Sequence, residues 1–410
     1  MTRVSVQTQP RSPLACPAYR RVFVARAVSS AGSYMQVVAA SWLVYHLTNS
    51  AIAVGVLTSL ALGPALVGGP IGGVLADRYD PRRLAILLSA LQALACMALV
   101  VLELAGHLTV GLLYACVFAG AIPFSINQPI ITLIVPYTVP EESRHTAVAR
   151  ASMIFNVTRL LGAFVGGVLV TAVGVAAAFG INALSYVLVT LVLWRTTLLI
   201  SPDDTLTVRR TTGVVAGMRQ GLGHPLMRVV ALSVVLFFTL VAPLEQLMPT
   251  VAREHGMTAT SVGVLVGFIG VGALVANPLL GKRNRSRSAR QGLMAVGLAI
   301  SAVGLVLLAV TPNNGILIDV IAVMAVGFGW EFVFVSGQGT VALDIPADIR
   351  GRMMGVFFLL VTATTALGAL AIGYLFDTVG LTITLLTNAA IVALGAVVMA
   401  VRSRTSAGAA

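Results

Sequence analysis

Twelve apolar runs, each long enough to cross a membrane as a helix, fill this chain from residue 22 to residue 401 and leave only short polar islands between them. A helix spans the hydrocarbon core with about 20 residues. By that measure the runs lie near 22–46, 52–76, 83–105, 109–135, 148–173, 176–197, 226–250, 259–281, 291–311, 316–342, 353–375 and 381–401. Hydrophobic residues make up 58% of the 410 and charged residues only 10%, well below the roughly 25% charged of a soluble domain. The fold class expected is an all-α membrane protein.

Net charge is +12, a balance that in a soluble protein would suggest a nucleic-acid partner. A nucleic-acid binder gathers its charge on one folded face, whereas here it sits on the loops, so no nucleic acid is expected. All but three of the 26 basic residues fall on one side of a twelve-span arrangement; Arg253 lies on the other side, and Arg26 and Arg159 lie inside spans. Short basic loops stay cytoplasmic, which puts both termini, residues 1–21 and 402–410, in the cytoplasm of a bacterial inner-membrane protein. Cys16, Cys96 and Cys116 are unevenly spaced and support neither a disulfide framework nor a metal site. Leu14-Ala15-Cys16 is not read as a lipoprotein cleavage site, because residues 1–12 supply no apolar stretch before it.

The second half copies the first. At an offset of 206, Pro140, Arg144, Leu161, Gly162, Ala163, Gly167, Val173, Gly174, Asn182 and Ala183 meet identical residues from Pro346 to Ala389. At an offset of 208, Val54-Gly55-Val56-Leu57, Pro70 and Gly73 meet Val262-Gly263-Val264-Leu265, Pro278 and Gly281. Two six-helix halves, 22–197 and 226–401, are therefore expected, joined by a cytoplasmic linker at 198–225. Parallel halves with a site at their interface near the bilayer midplane are one architecture of secondary transporters.

Three local patterns carry a family resemblance. The first is Gly72-Gly73-Val74-Leu75-Ala76-Asp77-Arg78-Tyr79-Asp80-Pro81-Arg82-Arg83-Leu84, a charged turn in which Asp77 can start a helix or pair with a cation and the arginines can face anionic lipid. The second is Arg159-Leu160-Leu161-Gly162-Ala163-Phe164-Val165-Gly166-Gly167 in the fifth run, and the third is Pro346-Ala347-Asp348-Ile349-Arg350-Gly351-Arg352-Met353-Met354-Gly355. Together they resemble the major facilitator superfamily, in particular its exporter branch of enterobactin-type siderophore exporters and bacterial macrolide and multidrug efflux proteins. The resemblance implies a conformational switch at Gly73, Asp77, Arg78, Arg82 and Arg83, with Asp77 locking the halves. Asp80-Pro81 departs from the usual Gly-Arg there, and the second-half loop at Gly281–Arg287 has no acid. It also implies an antiport motif whose interface glycines are Gly162, Gly166 and Gly167, with Ala163 where proline is common. In this fold the first, fourth, seventh and tenth spans line the cavity.

Charges inside spans are costly and by default mark substrate or proton paths. Four stand out: Arg159, Glu245, Asp319 and Glu331. Glu331, deepest in its span, is the first candidate proton carrier and Glu245 the second; a static ion pair with Arg159 is the alternative for either. Asp319 reads as a helix-start acid. Gln36, Asn127, Gln128, Gln246 and Gln338, with Trp330, Tyr34, Phe237 and Phe332, are candidate cavity residues. Few polar groups among aromatics suit an amphipathic organic molecule.

The expected function is secondary export of a small amphipathic compound, drug or siderophore, by alternating access in exchange for protons, from a monomer surrounded by lipid. An importer or a lipid flippase on the same scaffold stays open. No cofactor, metal or enzymatic activity is expected: no Gly-x-Ser-x-Gly or phosphate-binding loop occurs in the chain and no paired His and acid is expected in the membrane, so an ion gradient would supply the energy.

Overall fold

A computed structural model of the chain describes residues 12–196, 223–283, 286–310 and 316–407. Most of the expected linker and of the N-terminal tail, and the last three residues, lie outside them. The described residues form fourteen α-helices with short 3-10 turns and no strand. They are α1 (Pro17–Thr48), α2 (Ala51–Leu62), α3 (Ala65–Arg78), α4 (Pro81–Leu104), α5 (Val110–Ile134), α6 (Arg144–Ala172), α7 (Val175–Arg195), α8 (Pro225–Leu240), α9 (Met248–Glu254), α10 (Ala259–Arg283), α11 (Arg287–Val310), α12 (Ile316–Asp344), α13 (Ala347–Thr378) and α14 (Leu381–Ala407).

Ten helices or helix pairs are long and apolar enough to cross a membrane. Helices α1 and α6 stand outside these ten. The 32-residue α1 carries Ser29, Ser30, Ser33, Tyr34 and Gln36 along its length, and in the 29-residue α6 the side chains of 148–156 lie outside the described residues, which leaves Val157–Ala172 as its described apolar stretch. One expected span is really two helices, because Gly63-Pro64 interrupts it between α2 and α3.

In the charged turn the helix start falls at Asp80 and not at Asp77. Asp77 lies in the last turn of α3, a helix C-terminus, and its side chain is outside the described residues. The N-cap is Asp80, whose carboxylate accepts from the amides of Arg82 at 2.8 Å and Arg83 at 3.4 Å, with Pro81 following at the first helical position. Asp followed by Pro is a helix start because the carboxylate satisfies free amides while proline needs no donor there. Arg82 does not face lipid: its guanidinium donates to the carbonyls of Leu193, at 2.8 Å, and Trp194, closing the C-terminus of α7. Arg83 reaches Asp80 at 3.6 Å and is exposed, as is Arg78.

Helices α1–α7 pack among themselves, with α1 on α6 and α7, and α4 on α5 and α7; α8–α14 repeat the scheme with α8 on α13 and α11 on α12 and α14. Gly174 and Gly380, 206 residues apart, both have positive φ, +104° and +94°, at the same helix-to-helix turn. The two sets meet along two seams, α2 with α13 and α6 with α10. Both seams depend on glycine at matching register. A Cβ on Gly55 would lie 2.4 Å from the Ala369 carbonyl and one on Gly263 2.6 Å from the Ala163 carbonyl. A Cβ on Gly373 would lie 2.6 Å from the Ala51 carbonyl and one on Gly167 2.7 Å from the Ala259 carbonyl. These contacts lie near the turns at 49–50, 173–174, 255–258 and 379–380, the arginine-poor end, whereas α5 and α12 share no packed interface. The two sets are closed at that end.

Candidate transport site between the two helix sets

Burying a guanidinium among apolar helices is tolerable only beside an anion. Arg159 of α6 is 2% exposed, Glu245 is 6% exposed, and the two form a bidentate ion pair, with Nε to Oε1 at 3.1 Å and Nη2 to Oε2. The pair joins the two helix sets. Glu245 reaches Arg159 because its helix is broken: α8 stops at Leu240, Ala242–Glu245 is a 3-10 turn, and the chain resumes as α9. Pro243 lacks the amide that would continue α8 while Pro249 opens α9, and the side-chain amide of Asn388 donates to the freed Leu240 carbonyl at 3.2 Å. The other face of the guanidinium lies over Trp330 of α12, 4.6 Å from the ring centroid. Trp330 in turn packs edge-on against Phe237 and Phe238, at 5.8 and 5.0 Å. Tyr34 of α1 is within electrostatic reach of both charges.

Glu331, one residue after Trp330, is 7% exposed and accepts a hydrogen bond from the Asn277 amide of α10 at 2.7 Å. The two acids thus differ in their partners: Glu245 faces a cation, Glu331 a neutral amide. Asn277 was not among the expected residues; the available signal was a polar side chain next to Pro278 late in an otherwise apolar run.

The remaining candidates are scattered. Gln246 lies beside Glu245 with its carbonyl oxygen unpartnered, and Gln338 is half-buried on α12. Gln36 points within its own set, where its oxygen accepts from Asn182 at 2.6 Å and from the Cys96 thiol at 3.0 Å. Asn127 donates to Ser89 at 3.0 Å, between α5 and α4, and keeps an unpartnered oxygen; Gln128, next in sequence, is exposed. Phe332 turns away from Trp330 to pack on Phe328, ring centroids 4.6 Å apart. Gly162 and Gly166 abut Ala31 and Met35 of α1, inside one set, so of the three motif glycines Gly167 is the one at a seam.

Two further buried pairs are confined to the second set. Asp319 is in the first turn of α12, as expected of a helix-start acid, but it is buried and bonded to His255 at 3.0 Å, a His–acid pair contrary to the expectation of none. Asp344 holds Arg290 through contacts of 2.5 and 3.2 Å. Among the described residues no group of three or more His, Cys, Asp or Glu side chains is arranged to hold a metal.

Comparison with known proteins agrees with this geometry. The family model described as a transmembrane secretion effector matches residues 8–409. The chain is 26% identical over 360 residues to the enterobactin exporter EntS of Salmonella typhi, covering 87% of this chain and 85% of that protein. It is 24% identical over 379 residues to the MFS-type transporter YfiS of Bacillus subtilis, covering 89% and 88%. Its fold is similar to the crystal structure of a bacterial homologue of the lysosomal transporter Spinster in an inward-facing, unoccupied conformation, with TM-score 0.74, 17% identity and coverage of 95% and 98%. It is equally similar to the nucleoside transporter NupG, with TM-score 0.74, 12% identity and coverage of 93% and 98%. Sequence, fold and a charged pair buried between two helix sets converge: this multi-pass inner-membrane protein is no enzyme but a transporter, and it belongs to the transmembrane secretion effector family of the major facilitator superfamily.

Proposed function

We propose that the chain is a secondary exporter of small amphipathic organic compounds, of the drug or siderophore class, driven by proton exchange. Its topology in this reading is twelve spans in two six-helix halves, 22–197 and 226–401, with α1 and α6 completing the ten apolar spans and both termini cytoplasmic. The observation that carries it is the unequal pairing of the deep carboxylates. Protonating Glu245 would leave the buried Arg159 without its anion, whereas protonating Glu331 strands no charge, since Asn277 is neutral. Glu331 is therefore the proton carrier, and Arg159 with Glu245 is the charged tie between halves that a rocking motion must loosen and restore.

Trp330 supplies an aromatic wall beside Glu331, so one helix presents an apolar face and a titrating group at adjacent positions. That combination suits a flat, partly polar organic molecule. Export is favoured over import by the kinship to proteins named as enterobactin exporters, covering most of this chain at 26% identity; the fold alone is shared with a nucleoside transporter and chooses no direction.

Inverted vesicles with an imposed proton gradient test the reading. The intact protein is expected to concentrate a cationic dye or a catecholate siderophore when the lumen is acid, and to stop when the gradient is collapsed. Glu331→Gln is expected to lose gradient-driven uptake by at least tenfold while keeping substrate-for-substrate exchange. Undiminished gradient-driven uptake in that variant would rule Glu331 out as the carrier.

A further inference from the structure

The two seams between the helix sets are copies in backbone but not in charge. In the last turn of α13 the Asp377 carboxylate crosses to the other set and accepts three hydrogen bonds at the start of α2. The donors are the Ser50 hydroxyl at 2.6 Å, the Ala51 amide at 2.7 Å and the Ile52 amide at 3.0 Å. Ser50 is the N-cap of α2 and the amides are the first two of the helix, which have no partner within it. A carboxylate there gains both charge-assisted hydrogen bonds and the favourable end of the helix dipole. At the matching register of the other seam, Thr171 stands 206 residues before Asp377 and Thr260 stands 208 after Ile52. Those two join by a single hydroxyl bond of 2.8 Å. One seam is fastened by an acid, the other by neutral hydroxyls.

We propose that Asp377 is a latch on the arginine-poor end: its grip on α2 holds that end shut, and its release is a step in opening it. The proposal rests on reading the chain as an alternating-access transporter. The latch is positioned to respond to the medium on that side, because Asp377 is exposed and helps line a depression of about 680 Å³ shared with Tyr45, Asn49, Ser50, Glu254 and His255. The charged groups nearby are Glu254, exposed in the same depression, Arg253, which lies over Tyr45 at 5.9 Å from the ring, and His255, which is held by Asp319. The carboxylate's hydrogen-bond donors are on α2 and its cap, so parting the seam breaks all three bonds together. Glu245 and Asp377 thus tie the same two sets at two levels, one deep and one at the closed end, both from the second set.

Distances between spin labels at Leu47 and Ile383 test this. Both positions are exposed at the closed end, on opposite sets, and the labels would be placed in a full-length chain with Cys16, Cys96 and Cys116 replaced. Losing charge-assisted bonds of this kind changes a two-state ratio by about tenfold or more. Asp377→Asn is therefore expected to raise the ratio of long to short distances by about tenfold, and Ser50→Ala to raise it less. Thr171→Asp, which adds an acid at the matching seam, is expected to lower it. If Asp377→Asn and Ser50→Ala both leave the distance distribution of the parent unchanged, the latch is overturned. Should Asp377→Asn not fold, Ser50→Ala and Thr171→Asp carry the test alone, and no shift in either overturns it. These distances read opening directly, so failure of proton-driven export would leave the latch standing, and failure of the latch would leave export standing.

Discussion

A guanidinium at 2% exposure inside an apolar bundle owes its place to one carboxylate and one indole ring. Removing one member of such a pair leaves the other charge buried alone, at a cost of about 3–5 kcal/mol, whereas replacing both with apolar residues is often close to neutral. Arg159→Leu and Glu245→Leu should each lower the melting temperature of the detergent-purified protein sharply, and the double variant should recover most of the loss. A double variant as unstable as the singles would mean that packing, rather than charge, sets the cost. The sequence marked Arg159, Glu245 and Glu331 because ionised side chains in apolar runs are conspicuous. It left open which acid meets Arg159, since that depends on how far Pro243 and the 3-10 turn rotate Glu245 out of the α8 spiral. Gln36 was misleading for a related reason: a polar residue on a cavity-lining helix serves equally well to bond its neighbours, here Asn182 and Cys96.

At the scale of helices, close approach without side chains is what the seams require. A Cβ at Gly167 would stand 2.7 Å from the Ala259 carbonyl and 2.8 Å from the Cα of Gly263, both backbone atoms that no rotamer change can clear. Gly167→Val should therefore prise α6 from α10, costing about 1–3 kcal/mol as overpacking does, and should slow substrate exchange in vesicles more than it weakens substrate binding. Gly292→Val in α11 is the control, since a Cβ there meets nothing within 4 Å; equal losses in the two variants would refute a special role for the seam. Helix existence was legible throughout, since apolar length is dictated by the bilayer. Breaks and caps were less so. Asp77 and Asp80 sit three residues apart in the same charged turn, and only the point at which α3 ends decides that Asp80, with Pro81 behind it, caps the next helix.

The internal repeat made the whole molecule's architecture legible, because a second half in register with the first must fold like it. The structure repeats even the left-handed turns at Gly174 and Gly380. What the repeat could not convey was conformation: identical halves can close at either end, and the choice lies in residues that differ, such as Asp377 against Thr171. Side of the membrane is a separate matter, set by arginine counts rather than contacts. Single cysteines at His107, Val173 and Val379, at turns of the arginine-poor end, and at Arg83 and Arg402, beside basic segments, give the measurement. Labelled with a membrane-impermeant maleimide in a chain otherwise lacking cysteine, the first three should react in intact cells and the last two only in inverted vesicles. The pattern depends on crossing by α1, whose serines and Gln36 keep it outside the ten spans, and by α6, described as an apolar stretch only from Val157. If α1 lay flat on the surface, His107 would change sides; if α6 did, Val173 would no longer react alongside His107. Reaction of all three from outside, with Arg83 and Arg402 protected, is the outcome that twelve spans and two cytoplasmic termini require.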